Sequence, residues 1–203
     1  MHREILSDNQ RKLIPLIETF MKDFGLVGGT AIALHLGHRR SIDFDLFTNS
    51  HFDGSKIRSA IARAAQIQNT FVVNPDELTI AVENVKITFY TFPYNISYTE
   101  NLDGDLRFPD LLTLAAMKAF ALGQRAKWKD YVDLFFILKT CSIKDVSRKA
   151  LALFGSEFNE RLFREQLSYH KDVDYSESVD YMEGFSVSDD EIKSTLSEIS
   201  LQD

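Results

Sequence analysis

The chain has 203 residues, 44% apolar and 26% charged, with a net charge of −7. That length supports one sizeable core, or an α/β core with a smaller helical lobe, and the balance excludes wholesale disorder and collagen-like classes. A single cysteine, Cys141, rules out an intramolecular disulfide, no run approaches the ~20 apolar residues of a bilayer span, and MHREILSDNQRK lacks the apolar centre of a signal peptide, so a soluble, cytoplasmic chain with no membrane partner is expected.

The charge is unevenly placed. Residues 107–171 carry 12 Lys+Arg against 7 Asp+Glu, whereas residues 172–203 carry 1 against 10. A locally basic helical region is therefore followed by an acidic ending.

In chain order, Ser7, Asp8 and Asn9 offer N-caps to a helix with Leu13, Ile14, Leu16, Ile17, Phe20 and Met21 at helical spacing, stopping at Gly25 as its C′ residue. Leu26 and Val27 enter Gly28-Gly29, after which TAIALHL is a short helix ended by Gly37. HRRSIDFDLFT alternates Ile42, Phe44 and Leu46 with Ser41, Asp43, Asp45 and Phe47, the period of a strand. Residues 54–68 are amphipathic and helical; NTFVVN, ELTIAVE and VKITFYTF then read as an antiparallel meander. After the polar turn ENLDGD come helices at about 109–123, 128–139, 143–154 and 159–169, a surface loop over 171–187 and a last helix over 189–201. The expected organisation is an α/β lobe over residues 1–106 and a helical lobe over 107–203 that closes a cleft between them.

Carboxylates at i and i+2 of a strand project from one side, with Cα atoms about 6.5 to 7 Å apart, so the oxygens of Asp43 and Asp45 can converge on a hard cation such as Mg²⁺. An isolated Asp-x-Asp is more often a solvated pair on an edge strand. Gly28-Gly29-Thr30 upstream places unhindered backbone amides, a hydroxyl and a helix N-terminus where one anion can be met; a glycine turn with Thr30 as N-cap is the plainer alternative. The glycine pair, a short helix, Arg39-Arg40-Ser41 and then Asp-x-Asp form a far more specific pattern than either half.

This stretch, Gly28 to Phe47, resembles the signature of the DNA polymerase β-like nucleotidyltransferase superfamily, and its Gly-Gly-Thr opening with Gly-His-Arg-Arg-Ser is similar to the AbiEii/AbiGii toxin family. KAFALGQRAKWKDYVDLFFIL, residues 118–138, resembles that family's downstream pattern of a helix lysine, an arginine and Lys-Asp-x-x-Asp-Leu. The resemblance covers roughly residues 20–140. It implies an α/β (α+β) nucleotidyltransferase fold with a mixed twisted sheet and a C-terminal helical lobe, and a Mg²⁺-dependent transfer of a nucleoside monophosphate from an NTP to an acceptor hydroxyl on RNA such as tRNA, or on protein. It further implies the toxin of a toxin–antitoxin or phage-defence system, with an antitoxin as a partner. By position, Asp43 and Asp45 would hold the metal, Gly28, Gly29, Thr30, Arg40 and Ser41 would contact the triphosphate, Lys118 would neutralise phosphate charge, and Asp130 would position or deprotonate the acceptor hydroxyl.

Other readings stand beside these roles. Lys118 lies on a strongly apolar helix, where a snorkelling edge lysine is the commoner reading. Asp130 sits in a first helical turn, where acids favour the dipole, and Asp133 shares its face. Arg125, Lys127 and Lys129 fit a triphosphate or RNA path and a solvated basic loop equally well. His35 is expected to be packed or capping, His38 to face solvent, and neither forms a zinc site with His51. Trp128, Tyr131, Phe135 and Phe136 are expected in the core. Thr88 stands where the wider superfamily places a third strand carboxylate, which motivates two alternatives: a catalytically silent nucleotide- or partner-binding protein, and a protein-facing module whose acidic ending contacts a basic partner or folds back.

Overall fold

The computed structural model describes residues 1–102 and 104–202. Helix α1 (Asp8–Glu18) starts where Ser7 and Gln10 close a reciprocal capping box, which satisfies two of the helix's orphan donors. It ends at Glu18, earlier than Gly25, because the chain turns through residues 19–23. Gly25 instead opens β1 (Gly25–Val27), where a Cβ would run into the Tyr98 ring. The glycine is required by close packing rather than by a helix stop.

Helix α2 (Gly28–Leu36) follows β1 directly, so Thr30 lies within its first turn and Val27 takes the N-cap position. Gly37, at φ 67°, ends the helix in the left-handed conformation and donates its N–H to the Ala33 carbonyl at 2.8 Å. Strand β2 (Phe44–Thr48) is shorter than the alternation of residues 38–48, since Ser41 and Asp43 are held by side chains instead of by a neighbouring strand.

After α3 (Gly54–Ala64), strands β3 (Ile67–Val73), β4 (Glu77–Val82) and β5 (Val85–Thr91) form the expected meander. The β4–β5 hairpin turns on Glu83 and Asn84, both at positive φ (50° and 61°), the pair of left-handed residues a two-residue turn of matching twist needs. The five-stranded sheet has the order β1-β2-β5-β4-β3, with β2 and β5 parallel and the other neighbours antiparallel, so it is mixed. A separate hairpin joins β6 (Glu100–Leu102) to β7 (Leu106–Phe108); Asp103 of the polar turn lies outside the described residues.

Alternation assigns the faces. Phe44, Leu46, Ile87 and Phe89 are fully buried on one side of β2 and β5, leaving Asp45, Lys86, Thr88 and Tyr90 on the other. Over that second face lies α4 (Leu111–Leu122), followed by α5 (Trp128–Ile137), α6 (Ile143–Phe154), α7 (Glu160–Ser168) and α8 (Asp189–Ser200). Helix α4 is the hub, packing on α2, α5, α6 and α7, with Phe120 stacked on Phe154 at 4.2 Å. Trp128, Tyr131, Phe135 and Phe136 are buried as expected.

Residues 171–187 do not simply loop through solvent. The Asp174 and Ala126–Trp128 backbones exchange hydrogen bonds at 2.7 and 3.0 Å, and further on Arg40 N–H donates to Asp180 and Met182 N–H to His38 at 2.8 and 3.1 Å. The segment is a strap tied to the α4–α5 connection at one end and to the α2–β2 connection at the other. Among the described residues no helix is long and apolar enough to cross a membrane.

Gly37→Ala would force a Cβ into the left-handed region and against the His2 ring, at a cost of about 1–2 kcal/mol, read as a lowered urea midpoint with an unchanged m-value.

Candidate active site

The site begins at the junction of β1 and α2. Val27 pairs with Asp45 across the sheet, so the next residue, Gly28, passes directly over the Asp45 carboxylate. Gly28 has φ 71°, and a Cβ there would collide with Asp45 Oδ2; at Gly29 a Cβ would come 2.6 Å from Arg39 Nη2 and 3.1 Å from Ser41 Oγ. The two glycines are what allow a carboxylate and a guanidinium to approach the backbone from either side.

The α2–β2 connection is sewn down from within. Thr30 is 1% exposed, and its hydroxyl lies against the Asp43 carbonyl and 3.0 Å from Ser41 Oγ. Gln10, buried at the start of α1, donates to the Ser41 carbonyl at 2.8 Å. Thr30 and Ser41 therefore fix the approach to Asp43 from inside. Arg40 is exposed and turned to the strap, 3.6 Å from Asp180.

Asp43 and Asp45 lie on the cleft side of β2. Asp45 stands level with Thr88 of β5 in parallel register, and Asp43 Oδ2 is 3.0 Å from Lys86 Nζ. Burial first, and then the neighbouring Asp43 charge, raise the Asp45 carboxyl above its ordinary value; Lys86 opposes them only in part. Lys86 itself is raised: burial would lower it, and its hydrogen bond to Asp43 outweighs that.

The opposite wall is helical. Lys118 on α4 is buried, with its ammonium 2.6 Å from Asp130 Oδ1 and 3.2 Å from Asp133 Oδ2. It is not a snorkelling edge lysine, and burial, which would lower it, is overcome by the two aspartates so that it stays cationic. Arg125 Nε reaches the other Asp130 oxygen at 3.3 Å. Asp133 has no exposure at all and accepts two parallel bonds from Arg39 Nε and Nη2, each 2.8 Å, together with one from His38 Nε2 at 2.8 Å. Burial alone would raise Asp133, but Arg39 and Lys118 hold it well below the usual carboxylate range. His38, expected at the surface, is fully buried because its partner is an aspartate 95 positions away. His35 is packed, its Nε2 2.9 Å from the Pro109 carbonyl.

Between the walls lies a cleft of about 410 Å³. Gly28, Asp45, Lys86, Lys118 and Arg125 line its polar part, and Phe47, Tyr90, Phe92, Met117 and Phe120 its apolar part. Of the residues singled out in sequence, the cleft brings together Gly28, Asp45 and Lys118 directly. Asp43 joins through Lys86, and Asp130 through Lys118 and Arg125, whereas Gly29, Thr30, Arg40 and Ser41 stand behind it. Lys86 went unnoticed because a lysine on a polar strand face carries no local signal; only the parallel register sets it beside Asp43.

A family model described as nucleotidyl transferase AbiEii toxin, type IV TA system, matches residues 17–196. The chain belongs to that family. An uncharacterised protein of Aquifex aeolicus is 32% identical over 121 residues, covering 58% of this chain and 58% of the relative, so the chain matches rather more than half of that curated relative's length. Two solved structures share the fold of this AbiEii-family chain at 14% identity. A Helicobacter pylori protein described as a candidate nucleotidyltransferase superposes with TM-score 0.54 over 95% of this chain and 92% of its own. MenT4, a nucleotidyltransferase toxin of Mycobacterium tuberculosis, does so with TM-score 0.59 over 88% and 74%.

Two predictions follow from these charges. Asp133→Asn should cost about 3–5 kcal/mol, because Arg39 and Lys118 would be left facing a neutral amide. A carboxylate with a depressed folded pKa contributes stability above its unfolded value of ~3.9 and loses it as pH falls through the folded value, so the gap between parent and variant is full at neutral pH and closes only below about pH 4. Thermal melts across pH check both. Asp45 has the opposite sign: its raised folded pKa means that the ionised form strains the fold as pH rises, so Asp45→Asn should melt higher than the parent at neutral pH when no divalent ion is added.

Proposed function

We propose that this AbiEii-family chain catalyses Mg²⁺-dependent transfer of a nucleoside monophosphate from an NTP to an acceptor hydroxyl, on RNA such as tRNA or on protein, as a toxin controlled by an antitoxin. The observation that carries this reading is the placement of Asp45 against Gly28, in one cleft with the cations Lys86, Lys118 and Arg125. A half-buried cleft carboxylate whose ionised form is disfavoured is a poor structural residue and a good ligand for a hard cation.

In this reading the part up to about residue 106 and the helical part after it form the two walls of the nucleotide cleft. Asp43 and Asp45 would hold Mg²⁺, which would supply positive charge against that developing on the transferring phosphate. The backbone of Gly28, at the N-terminus of α2, faces the triphosphate, with Gly29, Thr30 and Ser41 bracing that turn from behind. Arg40, turned to the strap, serves the anion only through the field near the turn. Lys118 and Arg125 offset phosphate charge from the helical wall, where preorganised cations act without reorganising during the reaction. The acceptor oxygen attacks the α-phosphorus, the bond to the β-phosphate bridging oxygen breaks and pyrophosphate leaves, while the hydroxyl proton passes to a base. Of the roles expected for Asp130, positioning suits it better than deprotonation, since both its oxygens are already engaged by Lys118 and Arg125.

A second reading, a nucleotide-binding protein without turnover, is favoured by Thr88 standing level with Asp45 where an acid would complete the metal site. One assay separates them: purified protein, each α-³²P-labelled NTP in turn, Mg²⁺ and total tRNA, with Asp43→Ala/Asp45→Ala as control. Label on RNA or protein that vanishes in the double variant is expected. Triphosphate binding with no transfer from any nucleotide supports the silent protein, and absence of binding overturns both.

A further inference from the structure

We propose that the Lys86 ammonium takes the place of one cation in the reaction centre, so that the triphosphate is handled with a single divalent ion beside Asp43 and Asp45. The inference rests on the nucleotidyl-transfer reading above, and three observations support it.

The first is contact: Lys86 Nζ lies 3.0 Å from Asp43 Oδ2. The second is register. Phe44 and Asp45 pair in parallel with Ile87 and Thr88, so the cleft-facing residues that β5 sets beside the two aspartates are a lysine and a threonine. Among the described residues no group of three or more His, Cys, Asp or Glu side chains could hold a metal ion, and the other acid lining the cleft, Glu77 of β4, accepts from the Thr79 hydroxyl at 2.8 Å. The third is access. The Lys86 side chain is 45% exposed and lines the cleft, so its head can reach a phosphate while it remains at Asp43.

Charge decides between one ion and two. Divalent ions about 3.5–4 Å apart repel strongly and need anionic ligands that bridge them. Two aspartates and a lysine carry one net negative charge, which suits one divalent ion together with a triphosphate. Lys118 does not sit at the aspartate pair: Asp130 and Asp133 hold its ammonium on the opposite wall. The lysine moves no proton here; it supplies a fixed positive charge on the sheet side of the cleft, opposite Lys118.

The test counts ions directly. Mn²⁺ is titrated into the full chain with a non-hydrolysable triphosphate analogue, and free Mn²⁺ is read by its paramagnetic resonance signal. One ion per chain is expected for the parent and for Lys86→Arg. Lys86→Met, at a half-exposed position and checked for an unchanged melt, should either take a second ion or bind the analogue roughly ten-fold or more weakly with one ion, the loss expected for a charge-assisted contact. Two ions in the parent, or one ion and unchanged analogue affinity in Lys86→Met, overturns the proposal for Lys86 while leaving nucleotidyl transfer standing. No ion in the parent, or one that persists in Asp43→Ala/Asp45→Ala, removes the metal site and both readings with it.

Discussion

Asp133 holds three partners from two other parts of the chain: Arg39 through a two-pronged contact, His38, and the ammonium of Lys118. A lone buried carboxylate would be strongly unfavourable, and so would either cation alone; together with Asp130 the four charges balance, which is the condition under which burial is tolerated. The cost of removing these groups from water is thereby turned into geometry. Arg39 is held under Gly29 and Lys118 is aimed at the cleft by the same carboxylate, so the glycine turn on one wall and the cation on the other cannot shift independently.

Asp45 is the complementary case. It is half-buried beneath Gly28 and beside Asp43; Lys86, on the same sheet face, sits on Asp43, while Lys118 and Arg125 stand on the helical wall. Where the Asp133 cluster satisfies every charge, this position leaves one short of a partner, and the surrounding sheet holds it there. The chain thus separates the two tasks of buried charge: one cluster fixes shape, and the other keeps a ligand in a state that a divalent cation would relieve.

Much of this was legible in sequence. The helix over residues 28–36, the meander and the four helices after residue 108 follow from periodicity, turn residues and caps, all of which act within a few residues. The face of Asp45 was legible for the same reason, since alternation along the strand sets it, whereas Asp43 lies just before β2 and meets the site through Lys86. What local pattern could not supply were pairings set by the tertiary fold. His38 was expected in solvent because nothing near it signals Asp133, and α1 was drawn to Gly25 because the demand on that glycine comes from Tyr98. Lys86 needed the β2–β5 register, and no local pattern showed that the Thr30 and Ser41 hydroxyls meet between α2 and β2.

Net charge was a weak guide for a related reason. In sequence Arg125, Lys127 and Lys129 fit a polyanion path and a solvated loop equally well; in the fold Glu177 of the strap lies 2.7 Å from Lys127 and 3.1 Å from Lys129. Hydrogen bonding to Lys127, set against partial burial and reinforced by Lys129, pulls the Glu177 carboxyl down to about 2, so the pairing persists across the neutral range. Of the three basic residues in that connection only Arg125 lines the cleft, and there it faces Asp130. The acidic segment is therefore structural as well as electrostatic. By consuming two lysines while its backbone ties the α4–α5 connection to the Asp-x-Asp approach, it confines positive charge near the site to Lys86, Lys118 and Arg125, one from the sheet and two from the helical wall. A ligand drawn by that field is directed between the walls rather than across the face of the helices.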